Sequence, residues 1–81
     1  MGEVFEMGMP RLGIAMSEGT VLRWEKQVGD RIRPDEVLLV IENDKVEIEV
    51  VCPYDGTVAE ILAAEGDVVP VMQTIARIAA D

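Results

Sequence analysis

The residue best suited to carry chemistry is Lys45. It lies in the polar stretch Glu42-Asn43-Asp44-Lys45, between an apolar run ending at Ile41 and an alternating run starting at Val46. Two strand-like segments joined by so short a polar stretch read as a β-hairpin. Asn43 and Asp44 favour the turn because their side chains hydrogen-bond to nearby backbone. A lysine at the tip is held out into solvent by the backbone itself. Its amine is then open to a modifying enzyme, and a long attached arm would sweep freely. Spacing alone leaves a plainer reading open. On that reading Asp44, Lys45 and Glu47 form a solvated charge cluster, whose surface pairs contribute roughly 0–1 kcal/mol and no function.

The rest of the inventory removes other chemistries. There is no histidine, which takes away the usual general base and the commonest metal ligand. Cys52 is the only cysteine, so neither an internal disulfide nor a cysteine-rich metal site can form. A triad or an ordinary zinc site is excluded, and the expectation is no catalytic residue and no metal. The formal net charge of -9 repels phosphate backbones and anionic membranes and favours basic protein partners. The opening MGEVFEMGMPRLG is acidic and lacks a long apolar run, so it reads as neither signal peptide nor membrane span. A reducing intracellular setting fits: cytoplasm in a prokaryote, mitochondrial matrix in a eukaryote.

The elements that would position Lys45 show an internal repeat. GTVLRWEKQVGD from Gly19 and GTVAEILAAEGD from Gly56 share Gly-Thr-Val and Gly-Asp at the same spacing, an offset of 37 positions. Leu22 and Trp24 align with Ala59 and Ile61, Arg23 with Glu60, and Leu38 and Ile41 with Ile75 and Ile78. Two similar halves predict an approximate internal two-fold axis. The local pattern is β. Val46, Ile48 and Val50 alternate largely with acids, and Val37 to Ile41 is a continuous apolar run of strand length. Val58 to Glu65 has some helical propensity, but its repeat partner holds the β-favouring Val21 and Trp24. Gly29-Asp30, Pro34-Asp35, Pro53 to Gly56 and Gly66-Asp67 mark turns, and Pro70 marks a short edge strand. About eight short strands result. With 81 residues the chain is read as one domain, 1–81, with its core at about 5–78. The last residues, Ile78 to Asp81, run out in small and polar types, as at the start of a linker.

MPRLGIAMSEGTVLRWEKQVGD, then IENDKVEIEV, then PYDGTV, taken in order, resemble the lipoyl domain of 2-oxo acid dehydrogenase acyltransferases. The likeness runs from about Phe5 to Ile78. It implies an all-β fold: a flattened β-barrel or sandwich of two four-stranded antiparallel sheets with a pseudo-two-fold. Lys45 matches the lysine that takes lipoic acid in amide linkage. Glu42, Asp44, Val46 and Gly56 match positions that present it. Asn43 and Val46 stand where the family usually has Ser or Thr, and often Ala. The resemblance implies a swinging-arm carrier, non-catalytic on its own and part of a dihydrolipoamide acyltransferase. It would move acyl groups and reducing equivalents between active sites, with pyruvate or acetoin complexes the closest. The implied partners are a lipoate ligase or lipoyl transferase, a thiamine-dependent decarboxylase, the acyltransferase core and dihydrolipoamide dehydrogenase. The loop Gly13 to Gly19 would contribute to partner recognition through Ser17 and Glu18, or be an ordinary solvated loop.

Leu22, Trp24, Leu38, Ile48 and Ile61 are expected in the core, and Met7, Met9, Met16 and Met72 as flexible core filling. Three other readings compete. A biotinyl carrier shares the fold, but its lysine usually stands between methionines, whereas Lys45 stands between Asp44 and Val46. A glycine-cleavage carrier is longer and partly helical. An unmodified sandwich would leave Lys45 free.

Overall fold

A computed structural model of the protein describes residues 2–80. Eight strands follow one another: β1 (Val4–Gly8), β2 (Glu18–Trp24), β3 (Arg31–Ile32), β4 (Val37–Asn43), β5 (Val46–Val51), β6 (Gly56–Ile61), β7 (Val68–Pro70) and β8 (Thr74–Ala80). They form two antiparallel four-stranded sheets, ordered β1-β8-β6-β3 and β5-β4-β2-β7. The sheets are not closed into a barrel, so of the two expected forms the sandwich is the one observed. The stretch after Val58 is strand to Ile61, and Pro70 ends a three-residue edge strand.

The repeat is a symmetry of hydrogen bonding as well as of sequence. In one sheet Val21 faces Ile41, Arg23 faces Val40 and Trp24 faces Leu39. In the other, Val58 faces Ile78, Glu60 faces Arg77 and Ile61 faces Ala76, the same pairs one repeat later. The turns match too. Asp30 accepts from the Gln27 N–H at 2.8 Å, and Asp67 accepts from the Ala64 N–H at 2.9 Å. Gly29 and Gly66 have φ of 96° and 94°, a conformation that side chains resist.

A bulge at the same place in both halves corrects the expected core. Register shifts between Val21 and Arg23, and again between Val58 and Glu60. The extra residue breaks the two-residue alternation. Val21 and Val58 therefore point inward and are fully buried, whereas Leu22 is only half-buried and Ala59 is exposed. Trp24, Ile48 and Ile61 pack against the core from partly buried positions. Leu38, Ile41, Ile75 and Ile78 are fully buried at its centre, and Met7, Met9 and Met16 fill it as expected. Met72 does not: it is 81% exposed. Trp24 keeps its indole N–H satisfied by donating to the Ala63 carbonyl at 2.9 Å.

Register also defines two ends. β4 ends and β5 begins at the Lys45 hairpin, where Thr20 faces Glu42 and Pro70 faces Glu18. β8 starts just after β7, so the Gly8–Thr74 pair lies at this same end. The opposite end holds Val4 paired with Ala79, and Gly56 paired with Ala80. There Phe5 stacks on Tyr54, centroids 4.5 Å apart, and the Ala80 N–H donates to the Glu3 carbonyl at 2.7 Å.

Candidate functional site

β4 and β5 pair up to Asn43 opposite Val46, which leaves Asp44 and Lys45 as a two-residue loop. Their φ angles are 53° and 65°. Two positive φ values in a two-residue hairpin define a type I′ turn, whose twist matches that of the flanking strands. Such turns favour Asn or Asp followed by Gly. Asp44 satisfies the first preference. Lys45 stands where glycine would be easiest, in the left-handed region that costs an L-residue roughly 1–2 kcal/mol. The turn therefore gives up local stability to place an amine at its apex.

The surroundings leave that amine open. Lys45, Asp44, Val46 and Glu47 are exposed, and Glu42 is half-buried. Among the described residues no ion pair holds the Lys45 ammonium, so the charge cluster with Asp44 and Glu47 is not a bonded one. Burial falls away along β5 toward the tip: Val50 is buried, Ile48 is half-buried, and Val46 is 57% exposed. The hairpin thus projects beyond the core on a rigid pair of strands. A surface hollow of about 380 Å³ lies elsewhere, lined by Glu25, Lys26, Glu36, Val37 and Glu49. In it Lys26 donates to Glu36 at 3.2 Å and holds that carboxyl below the usual range, helped by the Arg33 N–H. No described His, Cys, Asp or Glu residues cluster as metal ligands.

The loop before β2 reaches the same end. Ser17 and Glu18 are exposed, and the Ser17 carbonyl accepts from the Val71 N–H at 3.0 Å. Beneath it Met9 and Met16 are buried against Gly19, where an added Cβ would meet the Met9 Sδ at 3.1 Å. Glu42, Asp44, Val46, Ser17 and Glu18 are therefore all brought to the lysine end. Gly56 is not. It lies at the far end of the other sheet, where an added Cβ would run into the Ala79 carbonyl. What Gly56 serves is the close approach of β6 to β8.

Sequence reasoning missed two residues at the lysine end. Ile14 is 99% exposed, and Met72 is exposed with φ of 79°. The signal for Met72 was present in the repeat. Its partner position holds Asp35, a turn former, so an apolar residue there is out of pattern.

Comparison with known proteins agrees with this geometry. The family model described as "Biotin-requiring enzyme" (Biotin_lipoyl) matches residues 5–78. The acetyltransferase component of the pyruvate dehydrogenase complex of Corynebacterium glutamicum is 47% identical over 77 residues, 95% of this chain and 11% of that protein. The succinyltransferase component of the 2-oxoglutarate dehydrogenase complex of Staphylococcus saprophyticus is 45% identical over 71 residues, 88% of this chain and 17% of that protein. The chain thus spans less than a fifth of these relatives. Among solved structures, the lipoyl domain of the 2-oxoglutarate dehydrogenase complex from Azotobacter vinelandii superposes with a TM-score of 0.74 at 33% identity, covering 94% of this chain and 95% of that one. With its two matched half-sandwiches and a lysine displayed on the β4–β5 turn, the chain belongs to the biotin/lipoyl domain family and is a lipoyl-type domain.

Proposed function

We propose that Lys45 carries lipoic acid in amide linkage, and that the domain moves acyl groups between the active sites of a 2-oxo acid dehydrogenase complex. The observation that carries this reading is the turn: an exposed, unpaired lysine occupies the glycine position of a type I′ hairpin in a lipoyl-type sandwich. Its amine is free to lose a proton and attack an activated carboxyl, forming the amide as the activating group leaves. Attachment removes the Lys45 charge, so the domain becomes one unit more negative than -9. When bound, the group supplies a disulfide that takes up an acyl unit together with two electrons.

The chain's own residues do the rest. The paired strands β4 and β5 hold the attachment point rigid while leaving it uncovered. Tethering keeps the carried unit at high effective concentration near successive sites. The acids Glu18, Glu42, Asp44 and Glu47 around the lysine favour partners with basic surfaces and hasten encounter. The proposed partners are a ligase that loads the domain, a thiamine-dependent decarboxylase, an acyltransferase core and a dihydrolipoamide dehydrogenase. A pyruvate complex is the preferred host, in keeping with the names of relatives from Corynebacterium glutamicum and Acholeplasma laidlawii.

The test is intact mass after co-expression with a lipoate ligase and added lipoate. A lipoyl-sized gain on the parent, absent from Lys45→Arg, is expected. No gain, or a biotin-sized gain with a biotin ligase, would overturn the assignment.

A further inference from the structure

Among the described residues, Met72 is the third non-glycine residue with positive φ, at 79°, beside the two of the lysine turn. The Gln73 N–H donates to the Pro70 carbonyl at 3.2 Å, so Met72 is the third residue of a four-residue turn. That position with that φ is the glycine site of a type II turn. In the matching turn of the first half, Glu36 donates to the Arg33 carbonyl and Asp35 does not take positive φ. The strain is thus particular to the second half. The turn is also firmly seated. The Met72 N–H donates to the Met9 carbonyl at 2.9 Å, and an added Cβ on Gly8 would lie 3.2 Å from the Met72 carbonyl.

A strained backbone persists only where surrounding structure imposes it, and such positions gather at functional sites. Here the strained residue also presents an unbranched apolar side chain to water. It does so at the end of the molecule that carries Lys45. The Val71 and Met72 N–H groups bind the Ser17 and Met9 carbonyls, the two ends of the loop that displays Ile14. Among the described residues, Ile14 and Met72 are the two most exposed large apolar side chains, at 99% and 81%. Acids flank this end at Glu18, Glu42, Asp44 and Glu47, with Arg11 the one basic side chain of the neighbouring loop.

We infer that Met72, together with Ile14, is an apolar docking anchor that fits a depression bordered by basic groups on the thiamine-dependent decarboxylase. This rests on the lipoyl reading above. The occupant follows from the tether. A lysine and its lipoyl group make an arm of about a dozen bonds, on the order of 15 Å at ordinary bond lengths. To deliver the arm's tip into a buried site, the lysine end must come against the partner's surface. Its apolar side chains are then desolvated in the complex, while the surrounding acids meet basic groups at the rim. Methionine suits the anchor position because it fills irregular depressions.

The experiment uses the lipoylated domain, its loading verified by mass, with the decarboxylase of its own complex. KM and kcat for reductive acylation are measured for the parent, Met72→Gly, Met72→Leu and Val4→Ser, the last an exposed apolar residue at the opposite end. Met72→Gly relieves the strained turn, so it is expected to fold at least as well as the parent. It should raise KM about tenfold and leave kcat within about twofold, as loss of an interface anchor does. Met72→Leu should restore most of the affinity, and Val4→Ser should behave as the parent. Separately, the Met72 methyl resonance should broaden when decarboxylase is added without 2-oxo acid. A Met72→Gly KM within twofold of the parent, or an unmoved Met72 methyl, would overturn the anchor while an active parent left the lipoyl reading standing. A parent that takes no lipoate would remove both.

Discussion

If Lys45 occupies a glycine position, Lys45→Gly must be more stable than Lys45→Ala. Both variants remove the same charge and neither side chain is packed, since Lys45 is exposed. They differ in the backbone. With φ of 65°, alanine keeps a left-handed cost of roughly 1–2 kcal/mol that glycine lacks. Against this, glycine loses about 0.5–1 kcal/mol more chain entropy on folding. The central values favour glycine by about 0.75 kcal/mol, or roughly 3–6 °C in Tm for a domain of this size. Lys45→Arg keeps both charge and strain and should match the parent within about 0.5 kcal/mol. Urea unfolding of the unloaded domain, followed by the fluorescence of Trp24, its single tryptophan, measures all three. Equal stability of the Gly and Ala variants would refute the claim that display of the amine costs the fold anything. A glycine variant less stable than alanine would show that the turn is not of the type I′ kind.

The same fold makes other measurable commitments. Gly56→Ala forces a methyl into the Ala79 carbonyl and should cost at least about 2 kcal/mol in chemical denaturation, with mass-detected loading of Lys45 at the other end still intact. Leu38→Ala empties a fully buried position and should cost about 2–5 kcal/mol by the same assay. Gly29→Ala and Gly66→Ala, at symmetric turns with φ of 96° and 94°, should destabilise by equal amounts, so a large difference would count against equivalent halves. Burial raises the Cys52 thiol above its ordinary range, opposed in part by the Tyr54 N–H. The native thiol should therefore resist iodoacetamide until the domain unfolds. Because the folded form holds its proton more tightly, this group's contribution to stability is full below the unfolded thiol's pKa and declines as pH rises above it. Cys52→Ala should flatten that alkaline decline in a stability–pH series.

Much of this protein was legible in its sequence, because the deciding patterns are local. Gly29-Asp30 and Gly66-Asp67 announced matched turns, Pro70 announced a short edge strand, and the single tip lysine stood between two strand-like runs. Each depends on backbone chemistry that a residue carries with it. The repeat added the symmetry, since equal spacing of turns and apolar residues builds equal strand pairs. Other features had no local signature. The bulges after Val21 and Val58 are properties of a strand against its partner. They reversed the assignment of Leu22, which alternation alone placed in the core. Gly56 reads in sequence as part of one motif with Lys45, yet register puts it at the opposite end, because antiparallel β5 carries the chain away from the tip. Met72 passed for core filling because a methionine carries no mark of where its turn points. Sequence composition and periodicity therefore determined which residues turn, pair and display. Which of them share an end, and which apolar side chains are left in water there, was decided only when two sheets packed face to face.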